Sequence, residues 1–240
     1  KAGSARYSEV ETGRRIADTG ADLRSSFDVD RAGFSLRVLS SEAERVKAMD
    51  TLAEILQAPL FPAEAFEREK ARAVANARES ETQPDRIAET RLYALMYPGH
   101  PYGFSASPET LVPINREDVE RHYRLHYGST RLVVTIVGDI DRAAAQALAE
   151  NLTSRLARGA DSTLAPVTPA PGGDVARIAH PSAQGHVMLG LAVLSYGDPD
   201  YFPLLVGNHI LGGGGFVSRL TKEVRSRQGY AYSVYSYFRP

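Results

Sequence analysis

Four consecutive glycines, Gly212 to Gly215, constrain this chain more than any other feature. Residues without Cβ atoms end whatever helix precedes them and admit the positive φ angles that tight turns need. The run closes an apolar segment, Tyr201 to Leu211, that reads as a helix, and leads through Phe216-Val217-Ser218-Arg219-Leu220 into Glu223-Val224-Arg225, which again has helical character. Past Gly229 the pattern switches to alternation in Tyr230-Ala231-Tyr232-Ser233-Val234-Tyr235, so a strand follows. Arg225 and Tyr232 stand seven positions apart across that helix-to-strand turn, where they are not helical neighbours but can converge on one point. A guanidinium and a phenolic hydroxyl aimed together suit a carbonyl oxygen that is held in place or gaining charge. The plainer alternative is an exposed helix arginine and a tyrosine packed at a sheet edge. A phosphate loop is excluded, because Gly215-Phe216-Val217 lacks the required Gly-Lys-Ser or Gly-Lys-Thr ending. Tyr235 and Tyr237 differ in strand parity from Tyr232 and belong to another face.

The rest of the chain alternates helices and strands in mixed order. Val10 to Gly20 reads as a helix ended by glycine, and Ser25 to Leu39 as two paired strands around Asp30-Arg31-Ala32-Gly33. Glu42 to Leu56 carries Val46, Met49, Leu52 and Ile55 at helical spacing. Pro62 to Ser80 is a second long helix, opening on a proline, and Pro84 begins a third that Pro98-Gly99 ends. Arg116 to His126 is helical, Leu132 to Gly138 is a buried strand of β-branched residues, and Arg142 to Arg158 is a long helix. Gly159 to Gly173 loses periodicity and gains Pro166, Pro169, Pro171 and a glycine pair, the composition of a linker. The expected organisation is a first domain over 1–158, a linker over 159–173 and a second domain over 174–240, in which Val175 to His180 and His186 to Ala192 are strands. The fold class is α+β, with mixed sheets and helices packed on one face.

Composition narrows the function. A net charge of −1, with no lysine- or arginine-rich block, excludes a surface built to neutralise a row of phosphates. No apolar run is long enough to cross a bilayer. Cysteine is absent, which removes disulfides, thiolate ligands and cysteine nucleophiles together and fits either a reducing cytosol or a periplasm. The polar opening Lys1-Ala2-Gly3-Ser4 and the close on Arg239-Pro240, directly after a strand that needs a neighbour, read as the ends of a fragment.

The glycine run with Arg225 and Tyr232 resembles the second-half signature of the pitrilysin and insulinase family of zinc peptidases, which includes the mitochondrial processing peptidases. Phe66-Glu67-Arg68-Glu69-Lys70, Pro98-Gly99-His100-Pro101-Tyr102-Gly103, and Leu132-Val133-Val134-Thr135-Ile136-Val137-Gly138-Asp139-Ile140 follow in the order that family uses, so the likeness covers nearly the whole chain. The resemblance implies two similar domains, both truncated here, with the inverted zinc motif H-x-x-E-H upstream of Lys1. It implies that Arg225 and Tyr232 grip the substrate backbone, and that Gly212, Gly213, Gly214 and Gly215 form a chamber loop that flexes as substrate enters. It also implies a periplasmic setting, with the cytoplasm as the alternative.

The same resemblance puts a zinc-ligand glutamate on the helix after Phe66. Ungapped alignment places the supporting residue at Glu69 and the ligand at Asn76; a slip of one residue gives Lys70 and Ala77. Neither Asn76 nor Ala77 is a useful zinc ligand, and Glu79 is turned about 60° and raised about 4.5 Å from Asn76. Asn76 is therefore a degenerate ligand position, and this chain carries no cofactor of its own. His122 and His126 have the i, i+4 spacing of a metal pair but no glutamate between them to act as base, and they fit an aromatic packing helix better. The implied function is that of a non-catalytic subunit of a heterodimeric zinc endopeptidase. A catalytic zinc-bearing partner of the same family and unfolded peptide substrates complete it. Two alternatives stay open: an active zinc peptidase with its motif upstream, and a structural subunit with no proteolytic role.

Overall fold

The computed structural model describes residues 2–160, 166–168, 170, 172–195 and 197–239. The chain divides into two compact units, one of Lys1–Thr168 with Asp174–Met188 and the other of Pro169–Gly173 with Leu189–Pro240. Of the expected linker over 159–173, positions 161–165, 169 and 171 lie outside the described residues.

In the first unit, α1 (Glu9–Ala17) begins at Ser8, whose hydroxyl accepts from the backbone of Glu11 while the Glu11 carboxylate accepts from the backbone of Ser8. This reciprocal cap satisfies two of the N–H groups a helix start leaves open. An antiparallel hairpin follows, β1 (Asp22–Phe27) and β2 (Ala32–Arg37), in register from Asp22 opposite Arg37 to Phe27 opposite Ala32. Its turn is Asp28 to Arg31, earlier than the pattern predicts, because the Asp28 carboxylate accepts from the backbone N–H groups of Asp30 and Arg31 at 2.9 and 2.8 Å. Next comes α2 (Glu42–Gln57), the central helix, with Ala48, Leu52 and Ile55 buried at helical spacing. Leu23, Leu52, Ala53, Ile55 and Leu152 form the core, with Ile16, Phe34, Leu36, Met49 and Val134 packed around it. Val46, expected on the buried face, is half exposed; the inward stripe runs instead through Ala48, Leu52 and Ile55.

The long α3 (Ala63–Ser80) and α4 (Pro84–Met96) follow, then a 3₁₀ turn at Pro101–Gly103, the short α5 (Pro108–Leu111), α6 (Arg116–His126) and α7 (Arg142–Thr153). The Arg142 helix stops short of the predicted Arg158. The backbone N–H of Arg155 leaves the helical ladder to donate to Gln57 Oε1 at 3.0 Å, and its guanidinium pairs with the buried Glu54 carboxylate.

Four predicted strands lack ladders: 132–138, 175–180, 186–192 and the segment after Gly229. Among the described residues, sheet hydrogen bonding is confined to β1 and β2. Leu132 to Gly138 alternates instead of being buried on both faces: Val134 and Ile136 turn inward, while Val133 and Val137 are 84% and 92% exposed. Its β-branched residues favour extended backbone, but only one face finds a packing partner. Val175 to His180 and His186 to Ala192 are likewise extended without a ladder, with Val187 and Leu189 exposed. The chain is nonetheless α+β, helices packing on a small sheet.

The second unit opens with α8 (Tyr201–Asn208), which passes into a π-helical turn at His209–Gly213, a 3₁₀ turn at Gly215–Val217 and a π-helical segment at Thr221–Arg227. The segment over 230–238, predicted as a strand, completes it without a ladder and with a bend at Tyr232.

Candidate functional site

The segment carrying Arg225 is fixed at both ends by its own sequence. At its start, Ser218 is 1% exposed; its Oγ accepts from the Thr221 N–H at 3.3 Å and its hydroxyl donates to Thr221 Oγ1 at 3.0 Å. The Thr221 hydroxyl donates in turn to the Val234 carbonyl at 3.4 Å, tying the helix start to the extended chain. At its end, Gly229 takes φ +66°, and the Tyr230 N–H bonds back to the Val224 carbonyl at 3.0 Å, six residues earlier. This is the reversal that a left-handed glycine after a helix makes available. The chain then runs back along the helix, which brings Tyr232 beside Arg225.

The glycine run holds the extended chain from the other side. A Cβ on Gly212 would lie 2.4 Å from both the backbone N and the Oγ of Ser236, so backbone passes directly over this position. Asn208 Nδ2 donates to the Ser236 carbonyl at 3.3 Å beside it. Gly215, at φ +59°, makes the turn toward Ser218. The run is a close-packed crossing as well as a turn.

On this frame Arg225 Cζ lies 4.5 Å from the centroid of the Tyr232 ring and 4.9 Å from that of Phe216. Tyr232 and Phe216 are 83% and 74% exposed, so the cluster is at the surface of its unit. A guanidinium on aromatic faces keeps its N–H donors for other acceptors. Among the described residues no protein acceptor engages the Arg225 guanidinium or the Tyr232 hydroxyl. By contrast Arg227 is held by Glu223 at 2.9 Å on its own helix. Arg225 and Tyr232 meet here with the guanidinium over the phenol ring. Tyr235 and Tyr237 stack on each other, with centroids 6.0 Å apart. Sequence reading missed Phe216, which no periodicity links to a residue nine positions on. Ser218 and Thr221 were legible in principle as a serine-x-x-threonine cap.

The groups expected near a metal are engaged elsewhere. Asn76 is exposed on α3, Glu69 pairs with Arg68 and Arg72, and Glu79 accepts from Gln83 Nε2 at 3.3 Å. His122 and His126 have ring centroids 4.5 Å apart; burial, and secondarily His126, hold the His122 pKa below its ordinary value. Among the described residues no three His, Cys, Asp or Glu side chains cluster as a metal site. A neutral amide at the ligand position and charges spent in ion pairs do not fit zinc. His100, at the predicted turn, is buried; its Nδ1 accepts from the Tyr102 N–H, and the Tyr102 hydroxyl donates to Asp30 at 2.6 Å. Hydrogen bonding to that carboxylate, then burial, pushes the Tyr102 pKa up to about 12.

Residues 113–240 match the family model described as the peptidase M16 inactive domain, and residues 2–107 match that of insulinase, peptidase family M16. The chain belongs to peptidase family M16. A crystal structure of a peptidase M16 inactive domain from Pseudomonas fluorescens is 31% identical to this M16 chain, with a TM-score of 0.89 over 99% of it and 58% of that protein. An uncharacterized zinc protease of Streptomyces coelicolor is 26% identical over 98% of this chain and 52% of its own length. The mitochondrial-processing peptidase subunit beta of Blastocladiella emersonii is 24% identical over 82% of this chain and 42% of its own. The M16 chain thus spans about half the length of the curated relatives it matches. Among the described residues no helix is long and apolar enough to cross a membrane.

Proposed function

We propose that this M16 chain belongs to the non-catalytic, peptide-binding subunit of a heterodimeric zinc endopeptidase. The observation that carries the reading is the surface cluster of Arg225 on Tyr232, with neither donor engaged by a protein acceptor among the described residues. An extended peptide lying along this rim presents carbonyl oxygens, which accept from the guanidinium N–H groups and the phenol. An unfolded chain offers its backbone in that way. In this reading the catalytic partner supplies the zinc and its base. The setting we favour is the periplasm.

The test uses the full-length protein with its catalytic partner. Losing a hydrogen bond to a charged group costs about 1.5–3 kcal/mol, so Arg225→Ala is expected to lower kcat/KM for an unstructured peptide about 10- to 100-fold. An unchanged rate refutes the gripping role.

A second reading rests on the name of the Streptomyces relative: the full-length protein is itself a zinc protease. One equivalent of zinc in the purified, uncomplexed full-length protein, with peptide hydrolysis, decides for it.

A further inference from the structure

The Arg225 guanidinium meets two rings, and only one of them belongs to the proposed grip. We infer that Phe216 is a positioning residue for Arg225, an aromatic rest that fixes the orientation of the guanidinium so that its N–H donors face an incoming peptide carbonyl. The inference deepens the proposed function and rests on it.

Four observations carry it. The Arg225 Cζ to Phe216 centroid distance, 4.9 Å, is within the range in which a cation is drawn to a ring face. Phe216 is 74% exposed and outside the apolar core cluster, so packing of that core does not explain its place. The backbone holds it there: Gly215 at φ +59° begins the 3₁₀ turn Gly215–Val217, and buried Ser218 closes that turn against Thr221. Finally, Arg225 has no ion-pair partner among the described residues, whereas Arg227 two positions on is paired with Glu223. An arginine side chain has many rotamers, and holding it before the ligand arrives removes an ordering cost of about 0.5–1.5 kcal/mol. A carboxylate would hold it too, but would occupy the donors. Two rings hold the group through its faces and leave its hydrogen-bonding capacity intact.

The experiment measures peptide affinity by fluorescence anisotropy, using the full-length protein and a fluorescein-labelled unstructured peptide. Phe216→Leu keeps apolar bulk and removes the π face; it is expected to weaken binding about two- to fivefold, with Phe216→Tyr close to wild type. In the Arg225→Ala background, Phe216→Leu is expected to have no further effect, since the ring acts through the arginine. A separate readout needs no peptide: the Nε–H resonance of Arg225, identified by Arg225→Lys, shifts downfield in Phe216→Leu as one ring current is lost. If Arg225→Ala binds like wild type, the grip fails and the positioning role with it. If Arg225→Ala weakens binding while Phe216→Leu does not, the grip stands and Phe216 is an idle neighbour. If Phe216→Leu weakens binding equally with and without Arg225, Phe216 touches the peptide itself and the positioning role is wrong. An unmoved Nε–H resonance also overturns it.

Discussion

Replacing Gly212 by alanine tests whether the glycine run is a loose loop or a packed crossing. The added methyl would lie 2.4 Å from the Ser236 backbone N and 2.9 Å from Leu220 Cδ1. A leucine tip can rotate away, but a backbone nitrogen moves only if the extended chain moves, and Thr221 and Asn208 hold that chain at Val234 and Ser236. Overpacking of this kind costs about 1–3 kcal/mol, which is a large part of a small unit's stability. Gly207 in α8 is the control: its Cβ would meet nothing within 4 Å, and in a helix interior alanine is favoured over glycine by about 0.5–1 kcal/mol. The two substitutions are chemically identical and five residues apart, so opposite signs would come from the crossing alone. Urea unfolding of the full-length protein, fitted with a common m-value, measures both. The same displacement moves Tyr232, so Gly212→Ala is also expected to weaken peptide binding while Gly207→Ala does not. A Gly212→Ala protein within about 0.5 kcal/mol of wild type would refute the crossing.

Further outcomes concern the first unit. Leu52→Ala, at a core position 5% exposed, is expected to cost about 2–4 kcal/mol in urea unfolding, whereas exposed Val137→Thr stays within about 0.5 kcal/mol; equal effects would restore a doubly buried strand at 132–138. Glu54 is 2% exposed and pairs with Arg155, with Arg6 at 3.6 Å. Because Arg155 is half exposed and Arg6 remains, Arg155→Met is expected to cost only about 1–2 kcal/mol, and a double-mutant cycle with Glu54→Gln should show coupling; additive effects would sink the pairing. Tyr102→Phe removes the bond to Asp30 and is expected to cost about 1 kcal/mol near neutral pH. The folded pKa is raised from 10.0 to about 12, so that stabilisation is complete below pH 10 and lost as pH rises toward 12; a wild-type advantage that persists to pH 12 contradicts it.

The legible parts of this fold were those set by local chemistry. The helices at Glu42, Ala63, Pro84 and Arg116 lie within a residue or two of where periodicity, caps and prolines put them, because each of those signals acts within a few turns. Most departures turn on residues distant in sequence, either as competitors or as partners that do not pair; the hairpin turn, set by Asp28, is the local exception. The Arg142 helix ends where Arg155 finds Gln57 and Glu54, about 100 positions earlier, and no local pattern announces such partners. A β-branched run specifies extended backbone but not a ladder, which needs a second edge at the right register. That is why 132–138, 175–180, 186–192 and 230–235 form no ladder among the described residues, while the hairpin, whose partner is its own neighbour, forms.

The same distinction governs the site. Spacing put Arg225 and Tyr232 at one point because a single glycine reversal connects them, and Gly229 supplies it. Spacing gave no sign of Phe216, whose approach depends on the turn at Gly215 and the cap at Ser218 acting together. Pairing by stacking also changes what the cluster can do. Two donors aimed independently at a carbonyl would each pay its own ordering cost on binding, whereas a guanidinium already resting on the phenol ring is oriented before the ligand arrives. Removing the hydroxyl alone, as in Tyr232→Phe, should therefore leave most of the arginine's contribution in place, while Tyr232→Ala should lose the phenol's contribution and, in addition, about 0.5–1.5 kcal/mol of the ordering that its ring gives the arginine. Equal losses for the two variants would mean that the hydroxyl, and not the ring, is what Tyr232 contributes.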